Sequence, residues 1–159
     1  RIILPEPQAQ LTAQAKMPGL DGEKMSKSYN NYISLRESEE SVTQKIRTMQ
    51  TDPARVRLTD PGDPGNCPAF ALHQVYSDAD VREWATNGCR TAGIGCIDCK
   101  QPLIESVNKE QEIMRQRAQQ FEEDPDLVHT VIQEGSEKAR NVARETLDDV
   151  KEAIGLSGR

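Results

Sequence analysis

From residue 38 onward apolar residues recur at helical spacing, and before it they do not. Val42, Ile46 and Met49 fall on one face of a helix that Ser38 can cap. Glu39 and Glu40 stand in its first turn, where carboxylates suit the positive end of the helix dipole. Ser77 with Asp80 three residues on reads as a capping box with Asp in place of Glu. Val81, Trp84 and Ala85 supply the inner face of that helix, and Gly88 stands where it would stop. A longer helix is predicted from Pro102, with Leu103, Val107, Ile113, Met114 and Phe121 near one stripe. Asp124-Pro125 reads as a cap followed by proline at the first helical position. Leu127, Val128, Val131 and Ile132 follow, closed by Gly135. Ser136 and Glu137 then open a last helix. Its predicted buried stripe is Ala139, Val142, Ala143, Leu147, Val150 and Ile154, and Gly155 ends it.

The front of the chain reads differently. Residues 1 to 4 look like the end of a short apolar strand cut by Pro5 and Pro7. Residues 5 to 34 show no sustained period and carry the turn residues Pro18, Gly19, Asp21 and Gly22. Loops of that length in compact proteins are usually functional or disordered. Residues 51 to 66 are rich in Pro, Gly and Asp and read as a second loop. There is no internal repeat and no low-complexity tract. The expected fold is mainly α: a strand-and-loop piece, then a small helical domain.

Composition limits the partners. The chain has 159 residues, of which 35% are hydrophobic and 4% aromatic, so its core must be lean and built on aliphatic side chains. No run of about 18 apolar residues exists, which excludes a spanning helix. The first residue is Arg1 rather than Met, and no long apolar stretch follows it. A piece of a longer protein without a secretory signal is therefore expected, cytoplasmic and off the membrane. The net charge of −6 means that any RNA contact must be local. From Lys24 to Leu58 there are seven Lys/Arg against four acids; from Phe121 to Arg159 there are five against ten. Phosphate chemistry belongs at the front, and the acidic tail reads as a solvated helical surface.

That chemistry has a candidate in Lys24-Met25-Ser26-Lys27-Ser28, preceded by Lys16-Met17-Pro18-Gly19-Leu20-Asp21-Gly22. Two lysines three positions apart on a loop can both reach one triphosphate, each ammonium being a compact charge on a flexible stem. Ser26 and Ser28 add hydroxyl donors, and Gly19 and Gly22 let the loop move.

The pentapeptide matches the Lys-Met-Ser-Lys-Ser signature of class I aminoacyl-tRNA synthetases. Arg1 to Pro7, Lys16 to Gly22, Thr51-Asp52-Pro53 and Asp60-Pro61-Gly62 narrow the likeness. With the tail segments Gly135 to Ala139, Thr146-Leu147 and Ala153 to Leu156, the chain resembles the C-terminal part of bacterial tryptophanyl-tRNA synthetases over essentially its entire length. The resemblance implies ATP-dependent activation of tryptophan to the adenylate, then transfer to tRNA(Trp), with Mg2+ accompanying the triphosphate. It implies that Lys27 carries most of the stabilisation of the departing pyrophosphate, that Lys24 assists, and that Met25 packs near adenine. ATP would be held by Lys24, Met25, Ser26, Lys27 and Ser28. It also implies residues 1–36 as the end of a Rossmann-type nucleotide-binding domain and residues 37–159 as an α-helical anticodon-binding domain. A homodimer is implied through the remainder of the parent. The family's His-Ile-Gly-His-type signature is missing. His73 and His129 read as ordinary helix histidines, so this chain by itself is expected to be inactive.

The four cysteines, Cys67, Cys89, Cys96 and Cys99, leave 21, 6 and 2 residues between neighbours. Without a secretory signal they favour metal over disulfides, and their spacing leaves zinc, an iron–sulfur cluster and free thiols all open. The resemblance implies a [4Fe–4S] cluster, with zinc second: some bacterial members carry a similar array whose first gap is one residue longer. Lys100, Arg90 and the following helix would then be presented to the anticodon. Two rivals remain at this stage. One is a tyrosine-specific relative, against which the cysteines and Asp60-Pro61-Gly62 argue. The other is a non-catalytic iron–sulfur or RNA-binding module.

Overall fold

The computed structural model describes residues 3–12 and 14–156. Their helices are α1 (Glu39–Thr48), α2 (Pro68–Tyr76), α3 (Ala79–Arg90), α4 (Cys96–Glu123) and α5 (Pro125–Ala153). A 3-10 turn over Pro64–Asn66 precedes α2. The predicted strand at residues 1 to 4 lies partly outside the described residues, and residues 3 and 4 are not strand. Two compact units divide the chain: Leu11–Ala118, and Arg1–Gln10 with Gln119–Arg159.

In the first unit α1 begins where the pattern predicts. Ser38 accepts a hydrogen bond from the Ser41 N–H, and Val42, Ile46 and Met49 are buried. They meet Ala69 and Leu72 of α2 and Leu103, Ile104 and Val107 of α4 in one aliphatic core. Met17, Leu20 and Ile33, from the long front loop, pack against that core half-buried. The loop is thus seated on the helices although it has no period of its own.

Helix α2 was not expected. Its signal was slight: Pro68 at the first helical position, then Ala69, Leu72 and Tyr76 at helical spacing over nine residues. Helix α3 starts one residue later than predicted. Its cap is Asp78, which accepts from the Val81 N–H at 2.9 Å. Ser77 instead ends α2. Ala85 is buried, but Trp84 is 43% exposed. Gly88 does not stop the helix; it lies within it, close under Ile94, and Ala92 makes the left-handed reversal at φ 54°.

Helix α4 starts at Cys96, six residues before Pro102, and carries the proline inside it. An interior proline costs about 3 kcal/mol. Leu103, Ile104 and Val107 follow it directly and are buried. Each is worth about 1.5–3 kcal/mol, so packing outweighs the proline. Further along, the predicted stripe stops being buried: Ile113, Met114 and Phe121 are exposed.

In the second unit Asp124 caps α5 by accepting from the Leu127 N–H. The helix then runs unbroken for 29 residues through Gly135 and Ser136, where two helices had been predicted. One glycine costs only about 1 kcal/mol in so long a helix. Gly155, at φ 75°, follows its end as expected. No residue of α5 is buried; Val142 is 65% exposed and Leu147 51%. Its apolar stripe exists, but the predicted burial does not.

Candidate phosphate loop and cysteine cavity

Residues 17 to 31 fold as a short hairpin. Pro18 and Lys24 form an antiparallel bridge, the Met25 N–H donates to the Met17 carbonyl at 3.1 Å, and the Gly19 N–H donates to that of Glu23 at 2.6 Å. Gln50, just past α1, donates its N–H to the Leu20 carbonyl at 2.8 Å and so ties the hairpin to the core. Beyond the bridge Lys27 opens a tight turn, in which the Asn30 N–H returns to the Lys27 carbonyl at 3.2 Å with Asn30 at φ 52°. Lys24, Lys27 and Ser28 are exposed at this tip, and Ser26 is half-buried. Among the described residues neither lysine is in an ion pair. Both ammonium groups are therefore open to an anion without first giving up a carboxylate. Met25 turns inward and shares a groove with Met17, Ile33, Leu35, Leu72, Tyr76 and Val107.

The hairpin joins α1 through Glu37. Its carboxylate accepts from the Ser34 N–H at 2.8 Å and the Ser41 hydroxyl at 2.6 Å, and pairs with the Lys45 ammonium at 2.5 Å. Lys45 also donates to the Tyr32 carbonyl. Burial alone would raise the Glu37 pKa; the bonds from Lys45, Ser41 and Ser34 and the Lys45 charge bring it below its usual value.

The four cysteines, far apart in sequence, line one cavity with Asp52, Arg55, Pro64, Phe70, Ala85 and Lys100. Cys67 precedes α2, Cys89 ends α3, and Cys96 and Cys99 occupy the first turn of α4. Each is half-buried. Burial, and then the neighbouring thiols, push Cys99 up to about 12. Cys67 and Cys89 are also raised, burial again coming first. Two cations stand at the wall. Arg55 donates to the carbonyls of Ile94 at 2.7 Å and Leu58 at 3.0 Å and approaches the Cys96 sulfur at 3.8 Å. Lys100 is only 3% exposed and donates to the carbonyls of Arg47 and Met49 at the end of α1. Desolvation lowers its pKa, against the pull of the thiols. Lys100 is therefore turned into the protein, and it does not face an anticodon as expected from the sequence.

The loop between α1 and α2 frames this cavity. Asp52 is buried and accepts from the N–H groups of Ala54 and Asp63. The Gly62 N–H donates to the Cys89 carbonyl at 3.0 Å, and a Cβ on Gly62 would stand 2.7 Å from the Cys89 sulfur. His73 is fully buried beneath Cys99. Its Nε2 lies 3.1 Å from the Cys99 carbonyl, which can only accept, so Nε2 carries the proton and the Ser77 hydroxyl donates to Nδ1. Burial lowers its pKa. His129 is exposed on α5. Sequence reasoning missed Asp52 and Arg55 as parts of the cavity, and Gly62 and His73 as neighbours of Cys89 and Cys99, because nothing in their spacing ties them to the cysteines. Among the described residues, no three His, Cys, Asp or Glu side chains are gathered as ligands of one metal ion. No helix there is long and apolar enough to cross a membrane.

Residues 3–112 match the family described as tRNA synthetases class I (W and Y). The tryptophan–tRNA ligase of Ralstonia nicotianae is 59% identical over 157 residues, which are 99% of this chain and 39% of that protein. The tryptophan–tRNA ligase of Thermotoga maritima is 44% identical over 97% of this chain and 47% of its own length. The chain thus spans less than half the length of these curated relatives. Among solved structures, tryptophanyl-tRNA synthetase from Campylobacter jejuni, complexed with ADP and tryptophan, superposes with a TM-score of 0.73 at 31% identity. That match covers 94% of this chain and 47% of the other.

Proposed function

Because the chain belongs to the class I tRNA synthetases of the W and Y family, we propose that it is part of a tryptophan–tRNA ligase and supplies that enzyme's phosphate-binding loop. Residues 1–36 would then close the nucleotide-binding domain, and residues 37–159 would form the anticodon-binding domain. In the proposed reaction the tryptophan carboxylate attacks the α-phosphate of ATP and the bond to pyrophosphate breaks. Lys27, with Lys24 assisting, meets the negative charge that builds on the leaving oxygens. This contact is stronger in the transition state than in the ground state and so acts on rate. Ser26 and Ser28 donate to phosphate oxygens, and Met25, which here lines the groove beneath the hairpin, would turn out of it to pack near adenine. Mg2+ accompanies the triphosphate as its counter-ion. The observation that carries this reading is the exposed pair Lys24 and Lys27 on a hairpin whose base is bonded down. In the full-length enzyme, Lys27→Ala should lower the rate of ATP–pyrophosphate exchange by about two to three orders of magnitude, with the KM for tryptophan within about twofold. Lost tryptophan affinity with unchanged turnover would refute the assignment. The rest of the enzyme would provide the His-Ile-Gly-His-type element, the tryptophan pocket and a homodimer contact, so this chain alone would not turn over. A cytoplasmic location follows from the reaction proposed.

We further propose that Cys67, Cys89, Cys96 and Cys99 hold a [4Fe–4S] cluster. Four thiols around one cavity are the donor set such a cluster takes. Zinc, which thiolates also bind, is the second choice. Arg55 and Lys100 would offset its negative charge, and Gly62 leaves Cys89 open. When bound, the cluster would supply a cross-link between α2, α3 and α4. Enzyme purified without oxygen should be brown and contain about four iron and four sulfide per chain. A colourless protein with one zinc, or with none, would refute the cluster.

Recognition of tRNA(Trp) by residues 37–159 rests on the helices around that cavity, where Arg90 is exposed. Given the net charge of −6, tRNA affinity of this part should fall with salt by only a few contacts' worth, a log–log slope of roughly −2 to −4. It should also depend on the anticodon, whose unpaired bases can be read on their edges.

A further inference from the structure

Asn31 lies three residues past the Lys-Met-Ser-Lys-Ser segment and is 3% exposed. Its side-chain oxygen accepts from the Ser26 N–H at 2.7 Å. Its Nδ2 donates to the Asp21 carboxylate at 2.8 Å and to the Lys24 carbonyl at 3.2 Å. Partner chemistry fixes which way the amide points: the N–H needs an acceptor, and the carboxylate and carbonyl need donors. The Asn31 backbone carbonyl accepts from the Leu20 N–H at 2.8 Å. Asp21 in turn also accepts from the Glu23 N–H. One buried carboxamide therefore grips the chain on both sides of Met25 and anchors it to the opposite arm of the hairpin.

Gly19 belongs to the same device. A Cβ there would stand 2.4 Å from the Asn31 carboxamide carbon, so a side chain at 19 would expel the amide. Lys24 and Lys27 point into solvent from a backbone that the amide has already ordered. A loop that must be both exposed and ordered needs its constraint from beneath, and Asn31 is placed there.

We propose that Asn31 is a positioning residue for the phosphate loop, setting through Ser26 and Lys24 the reach of the two lysines, with Asp21 as its anchor. This rests on the reading of residues 24–28 as that loop. No other side chain of similar size replaces it: aspartate offers acceptors only and would face Asp21 as a second carboxylate, and leucine offers neither acceptor nor donor.

The test uses the full-length enzyme and ATP–pyrophosphate exchange. Asn31→Asp should lower kcat by about 100-fold and Asn31→Ala by about 10-fold or more, with the KM for tryptophan within about twofold. The double variant Asp21→Asn with Asn31→Asp relieves the facing carboxylates and restores one amide–carboxylate bond. It should recover at least tenfold over Asn31→Asp alone, a coupling that general loosening does not produce. Single variants within twofold of wild type, while Lys27→Ala loses two orders of magnitude, would overturn the proposal and leave the loop reading intact. A silent Lys27→Ala would overturn the loop reading itself. If Asn31→Asp does not fold, amide hydrogen exchange on Asn31→Ala decides. The Ser26 amide should exchange fast while α1 amides stay protected, and a protected Ser26 amide would overturn the proposal.

Discussion

In the hairpin that carries Lys24 and Lys27, the groups offered to solvent and the groups that hold shape are different residues. Lys24 and Lys27 are exposed, while Asn31, Met17 and Ile33 anchor the hairpin below them. In the cysteine cavity the two duties fall on the same residues. Cys67, Cys89 and Cys99 are candidate ligands, yet they are partly desolvated wall, and the Cys89 carbonyl and the Cys99 carbonyl bond to Gly62 and His73. The difference teaches what a substitution reports. At the loop tip a substitution should leave the fold untouched; at the cavity it should be read in stability first.

The sharpest way to break this contrast is at Gly62. Gly62→Ala places a methyl group 2.7 Å from the Cys89 sulfur, so the segment or the thiol must move. It should cost about 1–3 kcal/mol of stability in denaturant unfolding. Lys27→Ala in the same assay should cost less than about 0.5 kcal/mol. Equal costs would show that the two places are not built differently.

A smaller effect belongs to the joint between hairpin and helix. The Glu37 pKa is lowered in the folded protein, so its bonds to Lys45, Ser41 and Ser34 stabilise the charged form. That contribution is fully present above the unfolded value of about 4.3. It is lost as pH falls through the depressed folded value. Glu37→Gln should therefore cost about 1–2 kcal/mol at neutral pH. Its stability should converge with wild type below about pH 4, read by thermal or urea unfolding across pH. A gap that persists undiminished in acid would assign the loss to packing rather than to charge.

The smallest effect is expected in α5. Val142→Ser replaces an apolar residue that is 65% exposed and should change the stability of this chain by no more than about 0.5 kcal/mol. A change of 2 kcal/mol would show that the stripe is covered. Set beside the buried Val42 of α1, this separates apolar spacing from burial, two things that periodicity alone treats as one.

Several elements were legible from single residues and their neighbours. Ser38 before two glutamates and Asp124 before Pro125 mark helix starts, because a cap is local chemistry satisfied within three residues. The Lys-Met-Ser-Lys-Ser segment was legible for the same reason: it is one short run of residues. The family, too, lay in the order of residues 16 to 62 and their neighbours. Other features were not local. Pro102 argues for a helix start, and what overrides it is the burial of Leu103, Ile104 and Val107 against α1 and α2. Gly135 argues for a break, and α5 passes through it because one glycine is a small cost among 29 residues.

The sequence by itself determined the mainly helical character, the family, and the presence of two lysines in the front loop and of four cysteines. Tertiary structure alone decided that those cysteines share one cavity with Asp52, Arg55 and Lys100, with Gly62 against Cys89 and His73 against Cys99. It alone turned Lys100 inward to the end of α1 and set Asn31 under the phosphate loop. The physical reason is range. Caps, turns and charge spacing act over a few residues and are written in order along the chain. Desolvation, close approach and the partners of a buried amide depend on segments that packing brings together, and no local pattern encodes them.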